Sequence, residues 1–132
     1  MSDDKITAVQ NLYAAYQRGD MDGVLADLAE DVDWAAEAPG SGAPWYGSYL
    51  GKAEVPAFFR AIVENVDIDR FDIVGLTSSE RDVVATVDWR FTVKSTGKSA
   101  SMYMQHWWRF ADGQIVQFRG SEDSAQTIAA FA

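Results

Sequence analysis

Hydrophobic and polar positions divide the chain into a helical first half and a stranded second half. Apolar residues recur every three or four positions over residues 6–16, which predicts an amphipathic helix. Asp20 is placed to cap a short second helix. A third helix is predicted over residues 54–66, where Pro56 falls in the first turn and is tolerated. The alanine-rich tail, residues 124–132, is predicted to be a fourth.

The hydrophobic period then changes from about 3.6 to 2 residues. Residues 83–93 and 100–110 each alternate between apolar and mostly polar side chains, which predicts two strands with one buried face. Asp112-Gly113 is a strong hairpin signal, and it predicts a further strand over residues 114–122.

The remaining segments are predicted from weaker patterns. A short strand is expected over residues 71–76, and another beginning near Val32. The glycine- and proline-rich residues 38–51 are predicted to form an irregular loop or, alternatively, a lid over the end of the sheet. Helices followed by antiparallel strands predict one α+β domain over residues 1–132, with a curved sheet wrapped against the helices.

Composition narrows the classes of function. The net charge of -9 argues against nucleic acid and anionic membranes as partners. With no cysteine and one histidine, the chain lacks the residues for disulfides, thiolate metal sites and paired-histidine zinc sites, so no metal is expected. No apolar run approaches the ~20 residues of a membrane span, and the N-terminus does not resemble a signal peptide, so the cytoplasm is the expected compartment.

His106 is the most informative single residue. Its neighbours on the same face of the predicted strand, including Met104 and Trp108, are apolar. An imidazole in this position faces the core or a cavity, and in a cavity it can bind a ligand or move a proton. The alternative is a buried structural histidine bonded to a backbone carbonyl or a nearby carboxylate.

Aromatic and methionine side chains from several elements are expected to surround one apolar pocket, although aromatic residues in such positions more often form ordinary core. The predicted lining residues are Tyr16, Trp34, Phe59, Trp89, Met102, Met104, His106 and Trp108. Tyr13 and Tyr16 share the inner side of the first helix, where each either packs or directs a phenol donor into the pocket.

Three carboxylates are candidates for a catalytic acid or base. Glu37 follows the first predicted strand, where it stands at the pocket mouth or is a solvated loop residue. Glu122 and Asp123 end the last strand, and Asp123 could instead cap the final helix. No Gly-x-Ser-x-Gly turn surrounds a serine, so a hydrolase triad is not predicted.

Three stretches together resemble the SnoaL-like polyketide cyclase group, which belongs to the nuclear transport factor 2-like superfamily and is related to ketosteroid isomerase. They are VQNLYAAYQRGDMDGVLADLAEDVDW, PWYGSYLGKAEVPAFFRAI and QHWWRFADGQIVQFRGSEDSA. The resemblance implies a cone-shaped α+β fold with an apolar pocket and a homodimer.

The resemblance also implies roles for particular residues. Tyr16 lies at the place of the isomerase's oxyanion-hole tyrosine, and His106 replaces its protonated aspartate. The isomerase's general base falls near Ala36, with Glu37 one step away. A shift of one residue along a strand sends a side chain to the other face.

The expected function is therefore a cofactor-free, acid–base isomerase or cyclase acting on a small cyclic or carbonyl compound. His106 and Tyr16 would donate to a developing oxyanion, while Glu37, Glu122 or Asp123 would move the proton. The alternative is a non-catalytic module that binds a small apolar molecule. A homodimer is expected through the outer sheet face, where Tyr103 and Trp107 would otherwise be wet.

Overall fold

A computed structural model describes residues 3–36, 38 and 42–132, which form four helices and six strands. The helices are α1 (Asp4–Gln17), α2 (Met21–Leu25), α3 (Val55–Val63) and α4 (Ser124–Phe131). The strands are β1 (Leu28–Ala36), β2 (Gly47–Leu50), β3 (Val66–Ser78), β4 (Asp82–Val93), β5 (Ser99–Ala111) and β6 (Gln114–Ser121).

The described strands form one curved, open sheet in the order β2-β1-β6-β5-β4-β3. Neighbouring strands are antiparallel except β1 and β6, which run parallel. The predicted α+β class is confirmed, with a sheet that is mostly rather than wholly antiparallel.

The concave face of the sheet carries the hydrophobic core. Alternate residues of β4 and β5 are buried, with His106 on the buried side, so the predicted orientation of both strands is confirmed. On the opposite face the side chains of Tyr103 and Trp107 are 67% and 37% exposed. The sheet therefore has one dry face and one face with large aromatic rings in contact with solvent.

Helices α1, α2 and α4 each start at an aspartate cap. Asp20 accepts a hydrogen bond from the backbone N–H of Gly23 at the start of α2, as predicted. Asp123 accepts one from the N–H of Gln126 at the start of α4. Pro56 lies in the first turn of α3, where its missing N–H costs no intrahelical bond.

Three elements have boundaries that differ from the prediction. The first strand begins at Leu28 rather than near Val32. The third helix ends at Val63 rather than residue 66, because Val66 already begins β3. That strand is longer than the predicted residues 71–76, since it spans Val66–Ser78. It lies at the edge of the sheet and is mostly exposed, so it lacks the apolar alternation that would have revealed its length.

The stretch predicted as an irregular loop contains β2, which pairs with β1 through Tyr49 and Trp34. The turn between β5 and β6 is as predicted, with φ of 52° at Asp112 and 79° at Gly113. Within the described ranges, every helix is too short or too polar to cross a membrane.

Candidate functional site

An apolar cavity of about 50 Å³ lies between the helices and the concave face of the sheet. Seven predicted residues line it: Tyr16, Trp34, Phe59, Trp89, Met104, His106 and Trp108. Met102 is buried on the same face of β5 but packs in the core away from the lining. Leu12, Tyr13 and Glu122 are among the further lining residues.

His106 belongs to a chain of hydrogen bonds at the cavity wall. The Trp108 indole Nε1–H donates to the Tyr13 hydroxyl oxygen over 3.1 Å. That hydroxyl lies 2.6 Å from Nδ1 of His106. Because the Tyr13 oxygen already accepts from Trp108, its own proton is best placed when it donates to Nδ1.

The protonation state of His106 follows from its surroundings. Burial lowers the pKa of the imidazole to about 3, so the ring is neutral at physiological pH. With Nδ1 accepting from Tyr13, the ring proton resides on Nε2. In the described part of the chain Nε2 has no hydrogen-bond partner, and the side chain borders the cavity. His106 therefore offers the cavity an N–H donor of fixed orientation.

Tyr16 stands at the edge of the same cavity. Its ring packs against Phe59 and Phe71 at centroid distances of 5.2 and 5.1 Å. Its hydroxyl makes no hydrogen bond to any residue that the structure describes. Burial raises the pKa of Tyr16 to about 12, which keeps the phenol protonated and able to donate.

Glu122 supplies a carboxylate at the cavity wall, directly after β6. Its Oε1 accepts from the Trp45 indole N–H over 2.8 Å, and its Oε2 accepts from the Thr127 hydroxyl over 2.5 Å. Burial raises the pKa of Glu122 above its ordinary value, while these hydrogen bonds partly oppose the shift. A carboxylate of this kind is a stronger base than a solvated one.

The other two candidate acids differ from Glu122. Asp123 lies outside the cavity lining and caps α4, and its hydrogen bonds from Gln126 lower the pKa of its carboxyl. Glu37 lies outside the described residues. Of the three candidate acids, only Glu122 lines the same cavity as His106 within the part of the chain that the structure describes.

Two partners of the site were not predicted from the sequence. Tyr13, not Tyr16, bonds to His106, although both phenols had been placed on the inner side of α1. Trp45 lies in the stretch predicted as a loop, and nothing in the local pattern indicated that its indole would reach Glu122. A glycine at position 120 is a weaker sequence signal of the site. Gly120 lies opposite His106 on β6, and a Cβ there would lie 3.2 Å from the Phe118 ring.

The residues described in the structure bring no group of three or more His, Cys, Asp or Glu side chains together as a metal site. Ser121 lines the cavity, as do the indoles of Trp34 and Trp89, whose buried N–H groups have no hydrogen-bond partner among the described residues. The other polar groups at the cavity include the His106 and Tyr16 donors and the Glu122 acceptor. They could bind a carbonyl oxygen and exchange a proton with the carbon beside it.

Solved structures with the same fold define the class of this protein. An NTF2-like protein of unknown function from Burkholderia pseudomallei is 31% identical, with 98% of each chain covered and a TM-score of 0.88. TerC, crystallised with polyporic acid, is 19% identical, with 97% of this chain and 98% of that chain covered and a TM-score of 0.85. A candidate polyketide cyclase from Xanthomonas campestris is 21% identical, with 98% and 97% covered and a TM-score of 0.77.

The latter two similarities, at low identity, show the fold alone. The model of the SnoaL-like domain family matches residues 9–118, which is most of the chain. The chain therefore belongs to the SnoaL-like domain family, within the NTF2-like fold. No curated protein matches it.

Proposed function

We propose that this protein is an acid–base isomerase or cyclase that acts on a small cyclic or carbonyl compound. The observation that carries the proposal is the hydrogen-bond chain from Trp108 through Tyr13 to His106. This chain holds a neutral imidazole at the wall of an apolar cavity that a carboxylate also lines. Such an arrangement is suited to stabilising negative charge on a carbonyl oxygen.

In the proposed reaction the ligand's carbonyl oxygen accepts hydrogen bonds from His106 Nε2–H and the Tyr16 hydroxyl. Glu122 removes a proton from the adjacent carbon, and the electron pair of the broken C–H bond moves to the oxygen as an enolate forms. Where the ligand has a C=C bond next to the deprotonated carbon, the enolate is conjugated with it, and the neutral Glu122 returns the proton to the far carbon of that bond, which completes an isomerisation. In a cyclisation, the enolate carbon instead attacks a second carbonyl carbon of the ligand and the proton goes to that carbonyl oxygen.

The cavity favours each step by excluding water. Fixed donors in a dry site stabilise a developing oxyanion more strongly than water-exposed donors do. A positioned base contributes typically about 10²–10⁴ in rate. The raised pKa of Glu122 brings its basicity closer to that of the carbon acid it would deprotonate.

Exchange of hydrogen for deuterium tests the proposal without knowledge of the natural substrate. A flat cyclic ketone, 1-tetralone, is incubated with the protein in D₂O, and loss of the protons beside its carbonyl is followed by NMR. Wild-type protein should accelerate the exchange over buffer. Glu122→Gln should lower the protein-dependent rate about 100-fold or more, and His106→Phe should lower it as well.

The matched control is Asp123→Asn, because it changes the neighbouring carboxyl, which lies outside the cavity, to another good helix cap. This variant should keep the wild-type exchange rate. Exchange no faster than in buffer, or exchange that Glu122→Gln leaves unchanged, refutes the acid–base proposal.

One observation favours a second candidate, a non-catalytic binding module. Both oxygens of Glu122 already accept hydrogen bonds from Trp45 and Thr127, an arrangement that also fits a structural role in which the carboxylate anchors α4. Quenching of tryptophan fluorescence by 1-tetralone without any proton exchange would support this candidate.

A further inference from the structure

A second, open depression lies beside the cavity. This outer groove has a volume of about 770 Å³ and runs between α2 and α3 across the start of β3. Its apolar surface includes Met21, Pro56, Val63 and Ile68. The Val63 and Ile68 side chains are 60% and 38% exposed, so the groove presents apolar surface to solvent.

The outer groove and the inner cavity meet at three aromatic rings. Tyr16, Phe59 and Phe71 line both spaces. The Tyr16 ring contacts the other two at centroid distances of 5.2 and 5.1 Å. The rings thus form the wall between the two spaces, and rotation of these side chains would join them.

Size indicates that the two spaces serve one ligand. Pockets for drug-sized ligands typically measure about 300–1,000 Å³. The inner cavity, at about 50 Å³, is far below that range, whereas the outer groove, at about 770 Å³, is within it. A ligand whose carbonyl reaches His106 therefore has room for most of its atoms only in the outer groove.

The charges of the outer groove indicate which ligand it would take. Asp20 accepts from Arg18 and from the α2 backbone, and Asp69 accepts from Thr92. Arg70 pairs with carboxylates on β3 and β4. These three charged side chains are therefore already paired within the protein.

Arg60, on the last turn of α3, is exposed at the groove. Its side chain makes no ion pair or hydrogen bond with any residue that the structure describes. It is thus a cation available to an anionic ligand, in a protein whose net charge of -9 otherwise repels one.

We propose that the outer groove is the outer half of the ligand-binding site and takes the acidic tail of an elongated carbonyl compound. The carboxylate of the tail pairs with Arg60, the apolar chain lies on the groove floor, and the carbonyl end passes between Tyr16 and Phe59 to His106. The inference rests on the proposed function for the position of the carbonyl. It adds a class of ligand, the keto acids with an apolar spacer.

A pair of probes isolates the role of Arg60. The keto acid 5-oxo-5-phenylpentanoate and its primary amide have the same aryl ketone and spacer and differ only in the terminal charge. Each is titrated against the protein by quenching of tryptophan fluorescence, since Trp34 and Trp108 line the cavity. Wild-type protein should bind the acid about twofold to fivefold more tightly than the amide, the range for an ion pair at an exposed site.

Arg60→Gln should abolish this preference for the acid. Arg81→Gln is the matched control, because it removes the same charge at an exposed position outside the groove. A second pair tests the position of the tail: Val63→Glu should weaken binding of the acid, whereas Val74→Glu should not. The two valines are 60% and 57% exposed, but only Val63 lines the groove.

The proposal is overturned if wild-type protein shows no preference for the acid, including the case in which neither probe binds. It is also overturned if Arg60→Gln prefers the acid over the amide as strongly as Arg81→Gln does. His106→Phe should weaken both probes equally and leave their ratio unchanged. A failed groove is therefore distinguished from a failed acid–base site, which is measured separately by the exchange of 1-tetralone protons.

Discussion

Replacement of His106 by phenylalanine should change how the stability of the protein depends on pH. At pH 7.5 the substitution removes the acceptor of the Tyr13 hydroxyl and leaves a buried donor unpaired. The expected loss is about 1–3 kcal/mol in the free energy of unfolding. At this pH wild-type protein should be the more stable of the two.

Acid should reverse that order. The unfolded chain protonates its histidine below about pH 6.5, whereas burial lowers the pKa of His106 in the folded state to about 3. Between these values the unfolded state binds the extra proton, so wild-type stability falls by about 1.4 kcal/mol for each pH unit. His106→Phe lacks this loss, and the two stabilities should cross between about pH 4.5 and 6.

Urea denaturation followed by tryptophan fluorescence measures the effect, at intervals from pH 8 to pH 5 to stay above the isoelectric point of 4.4. Tyr13→Phe is the control, because it breaks the same hydrogen bond but keeps the titrating ring. This variant should be less stable at every pH and lose stability in acid as wild type does. A constant difference between wild type and His106→Phe across the range would refute the assignment of a buried, neutral histidine.

Three other outcomes follow from the fold. We propose that the outer sheet face forms a homodimer, so light scattering should give twice 14.6 kDa. Trp107→Asp should reduce the measured mass to that of one chain. Leu50→Asp, which changes an exposed residue on the edge strand β2, should keep the dimer mass. A single-chain mass for wild type rejects the dimer. Gly113→Ala should lower the free energy of unfolding by about 1 kcal/mol because residue 113 has a positive φ. Gly75→Ala should lower it less, because Gly75 has an ordinary φ and no close neighbour. Equal losses of stability on urea denaturation would contradict this. Thr127→Val should destabilise the protein by about 1–3 kcal/mol, because the buried Glu122 carboxylate loses one of its two donors. An unchanged urea midpoint would show that this bond contributes nothing.

The central strands could be predicted from the sequence because each has one dry and one wet face. Strict alternation in β4 and β5 placed His106 on the buried side, and the structure agrees. The edge strands carry no such signal. Strand β2 is four residues long and largely exposed, and β3 has few buried side chains. Neither strand has a buried face that would require apolar residues at every second position.

The partners of the site were harder to predict than its position. Periodicity placed Tyr13 and Tyr16 on one side of α1, but a helix side is too wide to decide which phenol meets Nδ1 of His106. The bond from Trp45 to Glu122 joins residues 77 positions apart and depends on where a loop crosses the end of the sheet. Local sequence does not encode such a contact.

The parallel pairing of β1 with β6 determines when the sheet can be fully paired during synthesis of the chain. Trp34 stacks on Phe118 across this pair at a centroid distance of 4.1 Å, although the two are far apart in the chain. The β3–β4–β5 meander can form from local contacts while the ribosome is still adding residues. Strand β1, made earlier, has no partner on that side until β6 emerges. One edge of β1 therefore stays unpaired through most of translation, and the part of the cavity wall that β6 supplies is added late.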